Sequence, residues 1–392
     1  MAVTTFATGH PLTQTQWSKN RFAYHLKKNI FIRTGAVTMQ ADVNGAVQFL
    51  QDLRKEPGDK VRVSIKNPLT SPGVGNAKIL ENPERLYFDY DQVTVNTLGH
   101  SVSGDIPLAF KRTGINFHNE GVDSLMKWLS KRLEILTING YCGLYNESTA
   151  IDVLNEVEPS SNRIVYGGCA LDSATINTYD NDSDLSASGL ESSTLCTTDF
   201  LRYLLRLIDD FEPQFIPFER EGDEMLQCYL HPLHVKSLRA CDDWKDIQKY
   251  ANVRGSKNPF FTDSLGRIQN LMLYKAPELP MRTGAGGTLP AEGFNLDTAR
   301  TATEDAVDSG QSVAAGFIIG QQSMIWAISQ APRYWYDSDD GFSKRSGGGE
   351  ARMPLIGLDM ILGIKKVQFK DKDDSAREDY GVLVFHTQVQ PD

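Results

Sequence analysis

Apolar and polar positions alternate along residues 60–66: Val61, Val63 and Ile65 fall on one side, Arg62, Ser64 and Lys66 on the other. A period of two predicts a half-exposed strand. Breakers follow at Asn67, Pro68, Ser71, Pro72, Gly73, Gly75 and Pro83. A strand pattern then returns from Leu86 to Thr97, with Val93 and Val95 alternating against Thr94 and Asn96. Two strands about a long Pro/Gly tip predict an extended hairpin. An isolated hairpin is marginally stable in water, so this one must rest on something. A connection of this length in a compact domain usually serves something outside it.

Helical spacing is clearest after Asn119, where Val122, Leu125, Met126, Leu129, Leu133 and Leu136 form one apolar stripe. Asn119 reads as the start of this helix and Asn139-Gly140 as its stop, giving about 119–139. A second helix is predicted from Thr198 to Phe211, with Asp199 in its first turn and Leu201, Leu204, Leu205 and Ile208 inward. A third starts at Pro232, breaks near Cys241-Asp242 and restarts through Trp244 and Ile247. Ile164–Ala170 reads as extended, and Phe317–Gly320 and Met324–Ile328 as buried strands. Further strand signals lie at Ile364–Phe369 and Val382–Phe385, across a charged turn at Asp371–Asp374. Residues 277–312 read as loop, and Asp337–Glu350 as a polar, Gly-rich excursion. Residues 1–50 read as an arm with little core of its own. Strands and helices come in blocks without regular βα alternation, so the fold class is α+β. No internal repeat is visible.

Composition sharpens this. The chain has 392 residues, 40% hydrophobic and 23% charged, enough for a sizeable core and two to three domains. It has no run of ~18 apolar residues and no signal-peptide pattern at the N-terminus, so no membrane segment is expected. The five cysteines are odd in number and form no C-x-x-C pair, which predicts free thiols rather than a disulfide framework or zinc site. Charge is uneven. The net is −10, yet residues 1–50 hold Lys19, Arg21, Lys27, Lys28 and Arg33 against Asp42 alone, a net of +4. Residues 171–230 hold 13 acids and three bases, a net of −10. Such polarity fits head-to-tail contacts between copies of one chain, against the plainer reading of a solvated acidic face and a basic arm. No domain is basic enough for a sequence-specific reader of nucleic acid.

The search for chemistry returns little. G-x-S-x-G, H-E-x-x-H and G-x-x-x-x-G-K-[ST] are absent, and Gly73-Val74-Gly75 and Gly284–Gly287 read as turn and loop. His231 and His234 sit three apart at a helix start, where capping or packing outweighs metal binding. Asp180, Asp182, Asp184 and Glu191 occupy positions 1, 3, 5 and 12 of a calcium loop. However, Leu185 stands where the sharp turn requires Gly, so a solvated acidic loop is the stronger reading. No catalytic set, cofactor or committed metal site emerges.

Several longer phrases carry a resemblance. They are Leu230–Arg239; Trp244–Ala251 followed by Asn258–Thr262 and Leu265-Gly266; and Gly363–Phe369 with Asp379–Val382. The stretch His100–Gly143 adds a polar strand, a Leu/Trp-bearing helix and a closing Gly. Together, over most of residues 45–390, they resemble the major capsid proteins of tailed bacteriophages, in the group typified by the phage called N-four.

That resemblance implies the Hong Kong 97-type capsid fold. The N-terminal arm would span 1–50 and the extended E-loop hairpin 51–98. A peripheral domain would span 99–195 with its spine helix at about 119–139, a mainly axial domain 196–345, and C-terminal strands returning to the peripheral domain 346–392. It implies a non-enzymatic subunit that self-assembles as hexamers and pentamers into an icosahedral head shell, in the virion, assembled in the bacterial host cytoplasm. Its partners would be itself, scaffolding, portal and decoration proteins, and packaged double-stranded DNA held without sequence specificity, with no membrane. The arm begins almost at once, so a scaffolding function would come from a separate protein. Subunit contacts are expected at Lys19, Arg21, Lys27, Lys28, Arg33, Lys66, Pro72 and Lys78, with no cross-linking role assigned to Lys66 or Lys78. The rival readings are a decoration or connector component, a metal-dependent hydrolase using the 180–191 acids, and a calcium-dependent binding module.

Overall fold

Two sheets organise the molecule, and a long helix lies between them. The structure, a computed structural model, describes residues 29–37, 45–50, 58–66, 83, 86–103, 117–142, 153–155, 163–171, 176–179, 194–211, 215–220, 223–250, 265–283, 312–337, 355–370 and 377–389. In chain order its elements begin with α1 (Ile30–Thr34), β1 (Val47–Leu50), β2 (Lys60–Lys66), β3 (Phe88–Thr94), β4 (Asn96–Ser103) and α2 (Phe117–Cys142). There follow β5 (Ile164–Cys169), β6 (Ile176–Tyr179), α3 (Thr198–Asp209), β7 (Phe218–Arg220), β8 (Asp223–Leu230), α4 (Pro232–Ala240) and α5 (Asp242–Tyr250). The remainder is β9 (Arg267–Ile268), β10 (Leu271–Lys275), β11 (Met281–Thr283), β12 (Ser312–Ile319), β13 (Met324–Asp337), β14 (Leu355–Lys366), β15 (Gln368–Lys370), β16 (Arg377–Asp379) and β17 (Val382–Val389).

The four-stranded sheet runs β1-β13-β14-β4, with β1 parallel to β13 and the other pairs antiparallel. Alternate residues of β13 serve its two faces: Met324, Trp326 and Ile328 join the core that includes α2, while Ile325 and Ala327 join a second cluster beneath the hairpin β2–β3. The nine-stranded sheet runs β6-β5-β17-β12-β8-β10-β9, with β11 on β12 and β7 on β8. Tyr229, Phe317, Ile319, Val382 and Val384 face the α2 core. Cys228, Leu230, Ile318, Leu383 and Phe385 face α3, α4 and α5 through Phe200, Leu204, Ile208, Leu238 and Trp244. The shared strands have both faces covered, so β12 and β17 read as near-continuous apolar runs.

Helix α3 starts where the sequence predicts. The Thr197 side chain accepts from the Phe200 N–H at 3.4 Å, Asp199 complements the helix dipole, and the inward Leu and Ile residues are buried. Helices α4 and α5 are parted at Cys241, again as expected. The long helix differs. It runs through Asn139-Gly140 to Cys142, and Asn119 lies exposed inside it rather than capping it. A Cβ on Gly140 would meet Met324 Cε at 2.9 Å, and one on Gly121 would meet Ile356 Cδ1 at 2.7 Å. These glycines let α2 seat closely on β13 and β14, and the Asn-Gly stop signal yields to that packing. Met126, read as part of the stripe, is 51% exposed.

Two strand expectations need correction, and the arm and the C-terminal strands gain detail. Residues 29–37 and 45–50, from the expected arm, pack into a core shared with other elements: Phe31 is fully buried, its ring 5.9 Å from Tyr141, 5.1 Å from Tyr229 and 6.3 Å from Phe317. The returning hairpin strand ends at Thr94, and Asn96-Thr97 already belong to β4 in the four-stranded sheet. Within the expected 277–312 loop, Met281–Thr283 pairs with β12. The C-terminal strands part company: β14 lies beside α2, but β17 lies between β5 and β12 in the nine-stranded sheet.

Candidate assembly surface at the hairpin root

Strands β2 and β3 pair antiparallel from Lys60↔Thr94 to Lys66↔Phe88. This register places Val61, Val63, Asp89, Asp91 and Val93 on one face and Arg62, Ser64, Phe88, Tyr90 and Gln92 on the other. The inner face packs Val61 and Val93 on Ile325, Ala327, Val367, Phe369 and Tyr380. A Cβ on Gly363 would collide with the Thr94 carbonyl, so only glycine admits the hairpin this close to β14. Asn155 closes the root. Its Oδ1 accepts from the Thr94 N–H at 2.8 Å, and its Nδ2 donates to the Thr94 carbonyl at 2.9 Å.

Two buried carboxylates tie β3 to the strands beneath it. Asp91 pairs with Lys365 and, at 3.2 Å, with Arg377 Nη1, and it accepts from the Gln368 N–H at 3.2 Å. Asp89 accepts from the Lys370 N–H at 2.7 Å. Arg377 also donates to the Tyr90 carbonyl at 3.0 Å. Gln368 extends the network inward: its Nε2 donates to Asp379 Oδ1 at 2.7 Å, and Asp379 Oδ2 meets Lys366 Nζ at 2.7 Å with both side chains 0% exposed. Burial lowers the Lys366 pKa, and the Asp379 charge opposes that shift. Charge-assisted bonds of this kind are short and directional.

The outer face is chemically different. Phe88 is 60% exposed, Tyr90 50% and nearby Leu86 51%. The Arg62 guanidinium lies 5.3 Å from the centre of the Tyr90 ring. Exposed aromatics beside an Arg are the composition favoured in protein interfaces. These residues escaped the sequence reading, although residues 88–93 carried a signal. Acids alternating with aromatics ahead of Val93 put carboxylates on the strand's inner face, which demands cations opposite.

Of the residues singled out from sequence, Arg33 is exposed on α1, and Lys66 lies in β2 opposite Phe88. Lys19, Arg21, Lys27, Lys28, Pro72, Lys78, Asp180, Asp182, Asp184 and Glu191 lie outside the described residues. His231 caps α4, its Nδ1 accepting from the Leu233 N–H at 3.2 Å, and His234 is buried 5.9 Å from the Phe385 ring. Burial lowers their pKa values to about 4 and about 3. All five cysteines are free and buried, and burial raises the thiols of Cys169, Cys196, Cys228 and Cys241. Among the described residues no group of three His, Cys, Asp or Glu is placed to hold a metal, and no helix is long and apolar enough to cross a membrane.

This arrangement of two sheets, a long helix and a paired hairpin root is similar to that of solved phage capsid structures. The capsid of Ralstonia phage GP4 matches with a TM-score of 0.73 at 20% identity, covering 100% of this chain and 99% of that one. The cyanophage Pam1 capsid asymmetric unit matches at 0.71 and 19%, covering 100% of both chains. The acidic stable capsid structure of Helicobacter pylori bacteriophage KHP30 matches at 0.67 and 15%, covering 97% of both. The fold is thus of the Hong Kong 97 type. No curated protein matches the sequence. A family model described as phage capsid protein matches residues 5–390, and the chain belongs to that family. Its function is that of a major capsid protein, the subunit of the head shell.

Proposed function

We propose that copies of the chain assemble as hexamers and pentamers into an icosahedral shell around double-stranded DNA, formed in the bacterial host cytoplasm. In this reading α2 is the spine helix, and it forms the peripheral domain with the four-stranded sheet. The nine-stranded sheet with α3–α5 is the axial domain, and β2–β3 is the root of the E-loop. The observation that carries the proposal is the hairpin's asymmetry. Its inner face is tied down by Asp89 and Asp91, while its outer face leaves Phe88 and Tyr90 exposed. A hairpin held in a fixed direction presents those rings to a neighbour at little entropic cost.

The basic arm of one copy would meet the acidic stretch 171–230 of another. Each contact need supply only a few kcal/mol, because closure of the shell multiplies them. The net charge of −10 limits the grip on DNA, which is held without sequence specificity. We read the subunit as non-enzymatic, with separate scaffolding, portal and decoration proteins as further partners.

Negative-stain electron microscopy of the purified protein tests this. Closed shells or six- and five-membered rings are expected, and strictly monomeric protein at high concentration overturns unaided self-assembly. Asp91→Ala should lower shell yield about tenfold while circular dichroism stays native, since losing three ties frees the hairpin's direction. Undiminished yield would show that the anchored hairpin is not the contact.

A further inference from the structure

Away from the hairpin, a cavity of about 440 Å³ opens beside α3 and the start of β8. Its floor includes apolar Leu205, Ile208, Phe215 and Leu226, and polar Gln269 and Asn270 also line it. Its rim carries two exposed carboxylates, Asp209 and Glu224. An apolar floor under an acidic rim suits an aromatic side chain flanked by cations.

The chain contains such a segment. Residues 1–28 hold Lys19, Arg21, Lys27 and Lys28 and not one Asp or Glu, and Trp17, Phe22 and Tyr24 are interleaved with these bases. The segment joins the described structure at Asn29, where the Asn29 amide donates to the Ser130 carbonyl of α2 at 3.4 Å. That junction belongs with the core on one side of the nine-stranded sheet, since the neighbouring Phe31 packs on Tyr229 and Phe317. The cavity floor belongs to the cluster on the other side, with Leu226 and Ile208. A chain docking in its own cavity would have to pass around the sheet, whereas a neighbouring subunit need only present its cavity to the arm. An extended chain of 28 residues reaches on the order of 90 Å, ample for a neighbour.

We propose that the cavity between α3 and β8 is the socket for the aromatic and basic N-terminal segment, Trp17–Lys28, of a second copy of this chain. The inference rests on the assembly reading above and gives the arm a specific seat. Aromatic anchoring in the apolar floor supplies residence time, and the rim charges supply steering and register.

The test uses the full-length chain in assembled shells, with Phe22 replaced by a benzophenone-bearing phenylalanine. Unlabelled and isotope-labelled chains are mixed equally before assembly. Illumination and mass spectrometry should join position 22 to peptides containing residues 205–209 or 224–226. About half of the products should pair a labelled with an unlabelled chain, as random mixing requires. The variant Asp209→Asn/Glu224→Gln, altered only at exposed positions, should lower that cross-link about threefold while shells persist. Intact shells whose cross-links fall elsewhere, or join only chains of the same label, overturn the socket alone. Unchanged cross-linking in the neutralised variant overturns the role of the rim. Failure of the unmodified chain to form shells defeats the assembly reading and the socket with it.

Discussion

The four-stranded sheet carries a different kind of contact on each face. On one, α2 is seated by apolar side chains such as Leu125, Leu129 and Leu136, with Gly121 and Gly140 setting how closely it approaches. On the other, the hairpin root has a small apolar patch beside the buried carboxylates Asp89 and Asp91, the latter paired with Lys365 and Arg377. Apolar burial is non-directional and scales with area, so it fixes depth. Carboxylates bonded to a lysine, an arginine and backbone N–H groups fix direction as well. The helix relies on the first, and the hairpin root adds the second.

Removing one charge from the root side should give the largest effect. Lys365→Met takes from the buried Asp91 its less exposed cation, and the expected loss is about 3–5 kcal/mol in thermal or denaturant unfolding. Adding Asp91→Leu should recover part of it, because an apolar pair of similar volume does without the desolvation cost. A single variant costing less than about 1 kcal/mol would mean that charge does not hold the root, and the contrast between the faces would collapse.

The helix side answers to a different substitution. Leu136→Ala opens a hole in a fully buried part of the main core and should cost about 3 kcal/mol. The loss should be the same at low and high salt, since no ion pair is involved, and Asp91 should stay paired. A marked salt dependence would show that this face too leans on electrostatics.

The two faces also differ in how far sequence revealed them. The α3 stripe and the α4/α5 break at Cys241 were legible because caps and periodicity act within a few residues. The β2–β3 alternation was legible for the same reason. Strand β14 was visible only from Ile364 onward, since Leu355–Leu362 includes residues serving the covered core and lacks clean alternation. Gly140 was misread because a helix stop and a close approach use the same residue, and the deciding atom, Met324 Cε, comes from a distant strand. The root network stayed hidden in the same way: Asp91 meets Lys365 and Arg377 across 274 and 286 positions. Phe31 lay in a segment dominated by basic residues, and its aromatic partners come from three separate elements.

The smallest expected effect is also the one with a sign. Glu134 lies on α2 near α1, and its pKa is raised from 4.5 to about 7. Burial is the main cause, the Ile30 N–H opposes it, Glu278 reinforces it, and Arg33 and Lys131 oppose it. Above pH 7 the folded protein therefore holds a buried carboxylate that the unfolded chain keeps in water. As pH falls from 7 to 4.5 the folded state takes up a proton that the unfolded state does not, so stability rises and is fully gained below 4.5. Glu134→Gln keeps the shape, removes the charge and should abolish this slope. It should stabilise the protein by about 2 kcal/mol at pH 8 and change little near pH 4.5. Equal stabilisation at both pH values would point to a gain in packing instead. A loss at pH 8 would mean that Arg33 and Lys131 outweigh burial, and the helix side would then hold its carboxylate as the hairpin root holds Asp91.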